Sequence, residues 1–197
     1  MRIQMVLNGK KLEEEIRPNL TLLEFVREHG CFSVKCGCET SGCGLCTVFL
    51  DETPVLSCSL PAARADKKEV TTLEGLIKEA EEFGTFLAEQ GAEQCGFCNP
   101  GMIMNTIALL REKEDPSDEE IKSYLAGNLC RCSGYEGQMR AIKNFLSWRK
   151  ERPGSLVIRA KTKKQPDAAG EGSESISKET AAAAGTAASI AETGGAV

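Results

Sequence analysis

The spacing of ten cysteines constrains this chain more than any other feature of its sequence. Four follow a Cys-x4-Cys-x2-Cys pattern, with a fourth cysteine after eleven intervening residues, and they are Cys38, Cys43, Cys46 and Cys58. Four more form a Cys-x2-Cys pair and, after thirty-one intervening residues, a Cys-x-Cys pair, and they are Cys95, Cys98, Cys130 and Cys132. Because cytosolic thiols stay reduced, so many cysteines in a chain without an export signal favour metal binding over disulfides. The spacing therefore predicts two metal centres.

The first set of four cysteines has the ligand spacing of plant-type [2Fe–2S] centres. Its loop at residues 39–45 is rich in glycine and small side chains, so backbone N–H groups can approach and hydrogen-bond the sulfurs. Zinc ribbons normally bring two Cys-x2-Cys pairs, and the x4 step with a distant fourth cysteine fits them poorly. We therefore predict an iron–sulfur cluster here.

The second set taken alone suits structural zinc nearly as well as iron and sulfide. Asn99 and Pro100 directly follow Cys98, and they predict an N-cap and a first helical position whose donors face an anionic cluster. Alternate residues of a strand point to opposite faces, so Cys130 and Cys132 can share one centre only if their segment turns. We therefore predict an irregular loop there and favour a second cluster over zinc.

Charge and hydropathy exclude several partners. The chain has 24 basic and 29 acidic residues and a net charge of −5, which makes nucleic acid an unsuitable partner. No apolar run reaches the roughly 18 residues of a membrane span, and residues 1–5 do not resemble a signal peptide. We expect a soluble, cytoplasmic protein with no membrane contact. The single histidine, His29, stands before Gly30 and is expected to lie at a helix end.

The first half of the sequence predicts a small α+β unit. Strands are expected at residues 3–7 and 10–16, joined by Asn8-Gly9, a type I′ turn pair. Thr21 and Glu24 form a capping box that predicts a helix ending near Gly30. Further short strands are predicted at residues 47–50, 54–56 and 69–71.

From Thr72 onward the apolar residues recur with a helical period. Helices are predicted at residues 73–80, 85–90, 100–112, 118–126 and 136–150, with Met102 and Met104 as packing residues. After Pro153 the sequence is dominated by Ala, Gly, Ser, Lys and Glu. We predict a low-complexity, disordered tail at 153–197, in which residues 156–158 form a short docking strand.

The motifs resemble those of the small iron–sulfur subunit of molybdenum hydroxylases, the xanthine dehydrogenase and aldehyde oxidoreductase family. The similarity covers residues 1–150 in order, and the matching segments are residues 37–38, 42–48, 57–58, 72–76, 94–102 and 127–135. The resemblance implies an α+β fold with a plant-ferredoxin-like β-grasp domain at 1–76 and an all-α four-helix domain at 77–152. Each domain would hold one [2Fe–2S] cluster.

The same resemblance implies roles for individual residues. The helical-domain cluster would face a molybdopterin on a large subunit, with Gln94 and Cys132 near the pterin, and the other cluster would face an FAD on a medium subunit. Five glycines are expected to shape the cluster loops, namely Gly37, Gly42, Gly44, Gly96 and Gly134. Cys31 and Cys36 lie outside the ligand pattern and are expected to be dispensable. The apolar stretch usual after Tyr135 is replaced here by residues 136–138.

In this family a molybdenum centre hydroxylates a purine, an aldehyde or an N-heterocycle, and the electrons leave through the clusters. The chain has no phosphate-binding glycine motif and no nucleophile–base pair in its sequence, so we expect an electron-transfer subunit that does not turn over alone. A zinc-stabilised interaction module and a stand-alone ferredoxin are the alternatives. The substrate stays open among purine, nicotinate, aldehyde, carbon monoxide and aromatic acyl-CoA, with purine favoured by family frequency.

Overall fold

The computed structural model describes residues 1–152, so the tail predicted at 153–197 and its docking strand lie outside the described residues. Within residues 1–152 the fold is mixed, with a small sheet and five α-helices. The elements in chain order are β1 (Arg2–Leu7), β2 (Lys10–Glu15), α1 (Leu22–Glu28), β3 (Thr47–Leu50), β4 (Thr53–Leu56), β5 (Glu69–Thr71), α2 (Ile77–Glu89), α3 (Asn99–Glu112), α4 (Asp118–Leu125) and α5 (Glu136–Glu151). In this part of the chain no helix combines the length and apolarity that a membrane span requires.

The sheet has the strand order β2-β1-β5-β3-β4. β1 pairs antiparallel with β2 and parallel with β5, while β3 pairs antiparallel with both β4 and β5. Asn8 and Gly9 both have positive φ angles, 49° and 79°, so the predicted type I′ turn is confirmed. The predicted capping box of Thr21 and Glu24 starts α1. The helix covers one face of the sheet with its buried apolar residues, which are Leu22, Leu23, Phe25 and Val26.

Two hydrophobic clusters meet at β3. Val48 packs with α1, β1 and β5, whereas its neighbour Phe49 packs with the apolar faces of α2 to α5. Successive side chains of a strand point to opposite faces, so the sheet is covered by α1 on one side and by the helical half on the other. Met102 and Met104 are buried in the second cluster, which confirms their packing role.

One helix stands where the sequence predicted two. Residues 73–75 form a single 3₁₀ turn, and α2 then runs without a break through Gly84. A glycine inside a helix costs about 1 kcal/mol relative to alanine. Phe83 and Leu87 lie one turn apart on either side of Gly84 and are almost fully buried, so their packing outweighs that cost. The predicted break was therefore wrong.

The start of α3 also differs from the prediction. Cys98 occupies the N-cap position and Asn99 is already helical. The Asn99 side chain donates to Glu93 Oε1 at 2.8 Å and makes no cap hydrogen bond. Because Asn99 is itself the first helical residue, its side chain does not cap the helix, and its NH₂ group binds a charged acceptor instead.

Candidate metal centres

The loop between α1 and β3 and the turn after β4 bring the first four cysteines together. The thiols of Cys38 and Cys43 are in hydrogen-bonding contact, as are those of Cys46 and Cys58. An electrostatic interaction between Cys43 and Cys46 joins the two pairs. We call these four residues the ferredoxin quartet.

Backbone donors surround the Cys38 sulfur. It receives hydrogen bonds from the N–H groups of Thr40, Gly42 and Cys43 and from the Cys43 thiol. Together these bonds lower the pKa of Cys38 to about 6, and the Thr40 N–H contributes most. A thiolate accepting several N–H bonds is stabilised over the neutral thiol. The loop thus favours the anionic form that binds metal.

Cys43 and Cys46 lie deeper in the fold. Burial raises the pKa of Cys43 although the N–H groups of Leu45 and Gly37 point at its sulfur, and burial raises the pKa of Cys46 to about 11. A Cβ atom on Gly37 would lie 2.6 Å from Leu45 Cδ1 and 3.2 Å from the Cys43 sulfur, so a larger residue there would have to displace the Leu45 side chain and would crowd the sulfur. Buried neighbouring thiolates need a cation to offset their charge.

The second four cysteines come from the loops that precede α3 and α5. The sulfurs of Cys95 and Cys132 lie 3.6 Å apart, and the thiols of Cys98 and Cys130 are in hydrogen-bonding contact. Electrostatic interactions of Cys95 with Cys98 and Cys130 join the pairs. Residues 129–135 contain no helix or strand, which confirms the irregular loop. We call these four residues the helical quartet.

Ser133 is a site residue that the sequence analysis did not single out. Its N–H and its hydroxyl lie 3.4 Å and 3.0 Å from the Cys130 sulfur. Burial raises the pKa of Cys130, but these hydrogen bonds outweigh it and lower the value to about 6. For Cys98, burial and then the hydrogen bond and charge of Cys130 raise the pKa to about 12, against the smaller opposing effect of its own N–H group. A hydroxyl residue directly after Cys-x-Cys was the only signal for this role in the sequence.

Gln94 and Cys132 are in direct contact at the surface. The Gln94 Nε2 donates to the Cys132 carbonyl oxygen at 3.0 Å. Three large apolar side chains nearby in sequence are strongly exposed: Phe97 at 47%, Leu129 at 51% and Tyr135 at 40%. Exposed apolar residues of this size around a site are typical of an interface.

The two quartets adjoin each other. Cys43, Leu45 and Cys98 form one small buried cluster, against which Cys38 and Cys130 pack. In addition, the Leu129 N–H donates to the Cys43 carbonyl at 2.9 Å. The residue bonded covalently to Cys130 is therefore also hydrogen-bonded to Cys43.

Gly44 lies at the centre of this junction. Its φ angle is +69°, and a Cβ atom there would lie 2.4 Å from the carbonyl oxygen of Gly127. Its own carbonyl accepts from the Thr47 hydroxyl at 2.7 Å and from the side-chain amides of Asn128 at 3.3 Å and Asn105 at 3.4 Å. No sequence pattern had connected these two asparagines with the cysteine loops.

The other predicted loop glycines and the two extra cysteines occupy different settings. Gly96 and Gly134 have φ angles of +72° and +67°, a conformation that favours glycine. Cys31 is buried in the core under α1, where Asn8 Nδ2 donates to its sulfur at 3.5 Å. Cys36 is exposed, and its thiol contacts the Cys38 carbonyl oxygen at 3.4 Å.

The donor arrangement fits a two-iron cluster. The thiols of each quartet are arranged as two contacting pairs, and a [2Fe–2S] cluster has four thiolate ligands shared between two irons. Backbone and hydroxyl donors to the sulfurs complete the environment that such clusters require.

Comparisons with known proteins agree with this geometry. The family described as "2Fe-2S iron-sulfur cluster binding domain" matches residues 5–73, and the family described as "[2Fe-2S] binding domain" matches residues 72–143. The chain is 43% identical to the nicotinate dehydrogenase small FeS subunit of Eubacterium barkeri, over 68% of this chain and 87% of that protein. It is 45% identical to the xanthine dehydrogenase iron-sulfur-binding subunit of Escherichia coli O157:H7, with the same coverage.

A solved structure has the same fold. The crystal structure of quinoline 2-oxidoreductase from Pseudomonas putida 86 contains a chain that superimposes with a TM-score of 0.70 at 34% identity. The match covers 78% of this chain and 97% of that one. The similarity therefore extends over almost the whole of the related subunit.

Proposed function

Because this chain belongs to the family of small iron–sulfur subunits of molybdenum hydroxylases, which includes the xanthine and nicotinate dehydrogenases, we propose that each of its quartets holds one [2Fe–2S] cluster. The observation that carries this assignment is the gathering of eight thiols into two groups of contacting pairs. A bound [2Fe–2S] cluster takes up and releases one electron at a time. The chain is an electron-transfer subunit and leaves catalysis to its partners.

We assign the ferredoxin quartet to a plant-ferredoxin-like β-grasp domain at 1–76 and the helical quartet to a four-helix domain at 77–152. Two separate hydrophobic clusters support this division. So does the position of the boundary between the two matched families, at residues 72–73. Each domain then supplies all four ligands of its own cluster.

The contact between the quartets gives a short route for the electron. The Cys43 carbonyl accepts a hydrogen bond of 2.9 Å from the Leu129 N–H, and a peptide bond joins Leu129 to Cys130. Cys43 and Cys130 are thus connected by covalent bonds and one hydrogen bond. Leu45 is buried in the same small cluster as Cys43 and Cys98, so the junction is apolar.

The partners are proposed from the family, and the exposed side of the helical quartet supports one of them. Cys95 and Cys132 are exposed, and the Gln94–Cys132 contact and the exposed Phe97 and Leu129 lie on the same two loops. We assign this side to the large subunit that carries molybdopterin, and the ferredoxin quartet to the medium subunit that carries FAD. Relatives that this chain covers to 87% or more of their own length are named for nicotinate, xanthine and quinoline, which are all N-heterocycles. Aldehyde oxidase 2 of Mus musculus and the Desulfovibrio gigas aldehyde oxidoreductase are much longer chains, of which this one covers 12% and 18%. We therefore assign an N-heterocycle, such as a purine, as substrate of the complex.

Iron, sulfide and zinc analysis of the anaerobically purified chain, combined with EPR of the dithionite-reduced form, tests the assignment. We expect four irons, four sulfides and two distinct spin signals. Cys58→Ala and Cys130→Ala should each remove a different signal, while Cys36→Ala, the matched control, keeps both. Stoichiometric zinc without sulfide, or two intact signals in Cys130→Ala, would overturn the proposal.

A further inference from the structure

Gln138, in the first turn of α5, has a buried side-chain amide whose nitrogen lacks a hydrogen-bond partner among the described residues. Only 2% of the residue is exposed. Its Oε1 lies 2.7 Å from the Ser133 hydroxyl, whereas its Nε2 is buried without a partner among the described residues. Beside it is an apolar cavity of about 380 Å³ lined by residues such as Met102 and Leu125. An amide in such surroundings is costly unless it is hydrogen-bonded.

Ser133 is the residue that connects Gln138 to the helical quartet. Its hydroxyl oxygen accepts the Tyr135 N–H at 3.3 Å and lies 3.0 Å from the Cys130 sulfur and 2.7 Å from the Gln138 amide. A hydroxyl has one proton to donate and two lone pairs. The three neighbours can therefore occupy all three positions, but only one of them can receive the proton.

Binding of iron to Cys130 decides which neighbour receives the proton. A metal-bound cysteine is a thiolate, which can only accept hydrogen bonds, so the Ser133 hydroxyl must donate to it. Tyr135 fills one lone pair of the oxygen, and the other is left for a donor. The NH₂ end is the only donor of the Gln138 side chain.

Rotating the Gln138 amide by 180° fills all three hydrogen-bonding positions of the Ser133 hydroxyl. The nitrogen and oxygen of a side-chain amide are nearly isosteric, so exchanging them places Nε2 against the Ser133 oxygen without moving other atoms. The exchange gives a partner to one of the two Nε2 hydrogens, neither of which has one in the present orientation, and leaves the carbonyl oxygen in the former position of the nitrogen.

We propose that Gln138 is a positioning residue that directs the Ser133 hydroxyl at the Cys130 sulfur, through a Gln138 Nε2–H to Ser133 Oγ–H to Cys130 Sγ relay. Hydrogen bonds to cluster sulfurs favour the reduced, more negative state. Gln138 therefore raises the reduction potential of the helical-quartet cluster. The inference rests on the proposed assignment of a cluster to this quartet.

EPR-monitored redox titration of the native complex tests the relay, with the helical-quartet signal identified as the one that Cys95→Ala removes. Gln138→Met keeps the length of the side chain and removes the amide. It should lower the potential of that signal and leave the ferredoxin-quartet signal unchanged. Ser133→Ala should lower the potential of the helical-quartet signal further, whereas Ser133→Thr, which keeps a hydroxyl, should have the wild-type potential. Met139→Leu, a volume-conserving change at the neighbouring position, is the matched control and should have no effect.

A double variant separates a relay from a packing effect. If Gln138 acts through the hydroxyl, Gln138→Met should cause no further shift in a Ser133→Ala background. An unchanged potential in Gln138→Met, or additive shifts in the double variant, would overturn the inference. The absence of any second spin signal in the wild-type complex would instead overturn the cluster assignment, so the two failures are distinguishable.

Discussion

The side-chain amide of Gln94 donates a hydrogen bond of 3.0 Å to the backbone carbonyl of Cys132, thirty-eight residues further along the chain. The bond ties the loop before α3 to the loop before α5. These two loops carry the helical quartet, so the contact closes the quartet at its exposed side.

Replacing Gln94 with Leu should make the helical-quartet cluster more labile. Loss of one such hydrogen bond costs about 1 kcal/mol, or about five-fold in the opening of the loop. We expect a few-fold faster decay of the helical-quartet EPR signal in air and unchanged decay of the other signal. Gln90→Leu, at the end of α2, is the control. Equal decay in both variants would contradict the role of this contact.

Gly44→Ala should disrupt the junction of the quartets. The new Cβ meets the Gly127 carbonyl at 2.4 Å, and the φ angle of +69° adds backbone strain. Together these effects should lower the free energy of unfolding by about 3 kcal/mol or more. Gly91 has a φ angle of +60° but open space around it, so Gly91→Ala should cost only about 1 kcal/mol. Urea unfolding of the cluster-loaded chain, followed by circular dichroism, measures both, and similar losses would argue against the clash.

Arg111 joins the helical half to the sheet. It lies 2.7 Å from Glu52 in the turn between β3 and β4 and stacks over the Phe49 ring at 4.5 Å. Its side chain is only 17% exposed, so Arg111→Met should cost about 1–2 kcal/mol in unfolding free energy. Lys68 pairs with Asp51 at the same turn but is 44% exposed, and Lys68→Met should cost about 0.5 kcal/mol or less. A larger loss for Lys68→Met would refute this ranking.

His29 should make stability depend on pH. Burial lowers its pKa, but hydrogen bonds to Glu14 and the Phe25 carbonyl and the charges of Glu14 and Glu28 outweigh burial, so the folded pKa lies above 6.5. A raised folded pKa stabilises the protein below the unfolded pKa, and this stabilisation is lost as pH rises through the folded pKa. In urea unfolding at pH 6, the free energy of unfolding of the wild type should exceed that of His29→Gln by on the order of 0.5 kcal/mol. The difference is small because solvent screens the His29–Glu14 pair. At pH 9 this advantage should vanish, and a constant difference would contradict the assignment.

Local patterns predicted the local structure well. The Asn8-Gly9 turn and the Thr21–Glu24 capping box depend on residues at most three positions apart, and both form as expected. Propensity misled where packing opposed it. Two helices were predicted at residues 73–80 and 85–90, but the burial of Phe83 and Leu87 keeps one helix continuous through Gly84.

The sequence by itself determined the two sets of four cysteines and the chemistry they favour, because each set is encoded by ligand spacing and by the small residues around it. Only the tertiary structure decided how the sets meet and which neighbours act on them. The Leu129–Cys43 bond, the approach of Gly44 to Gly127 and the Ser133–Gln138 contact arise when loops distant in the sequence, or a loop and a helix, are packed against each other. Such contacts depend on the shape of both folded segments, which no pattern of neighbouring residues specifies.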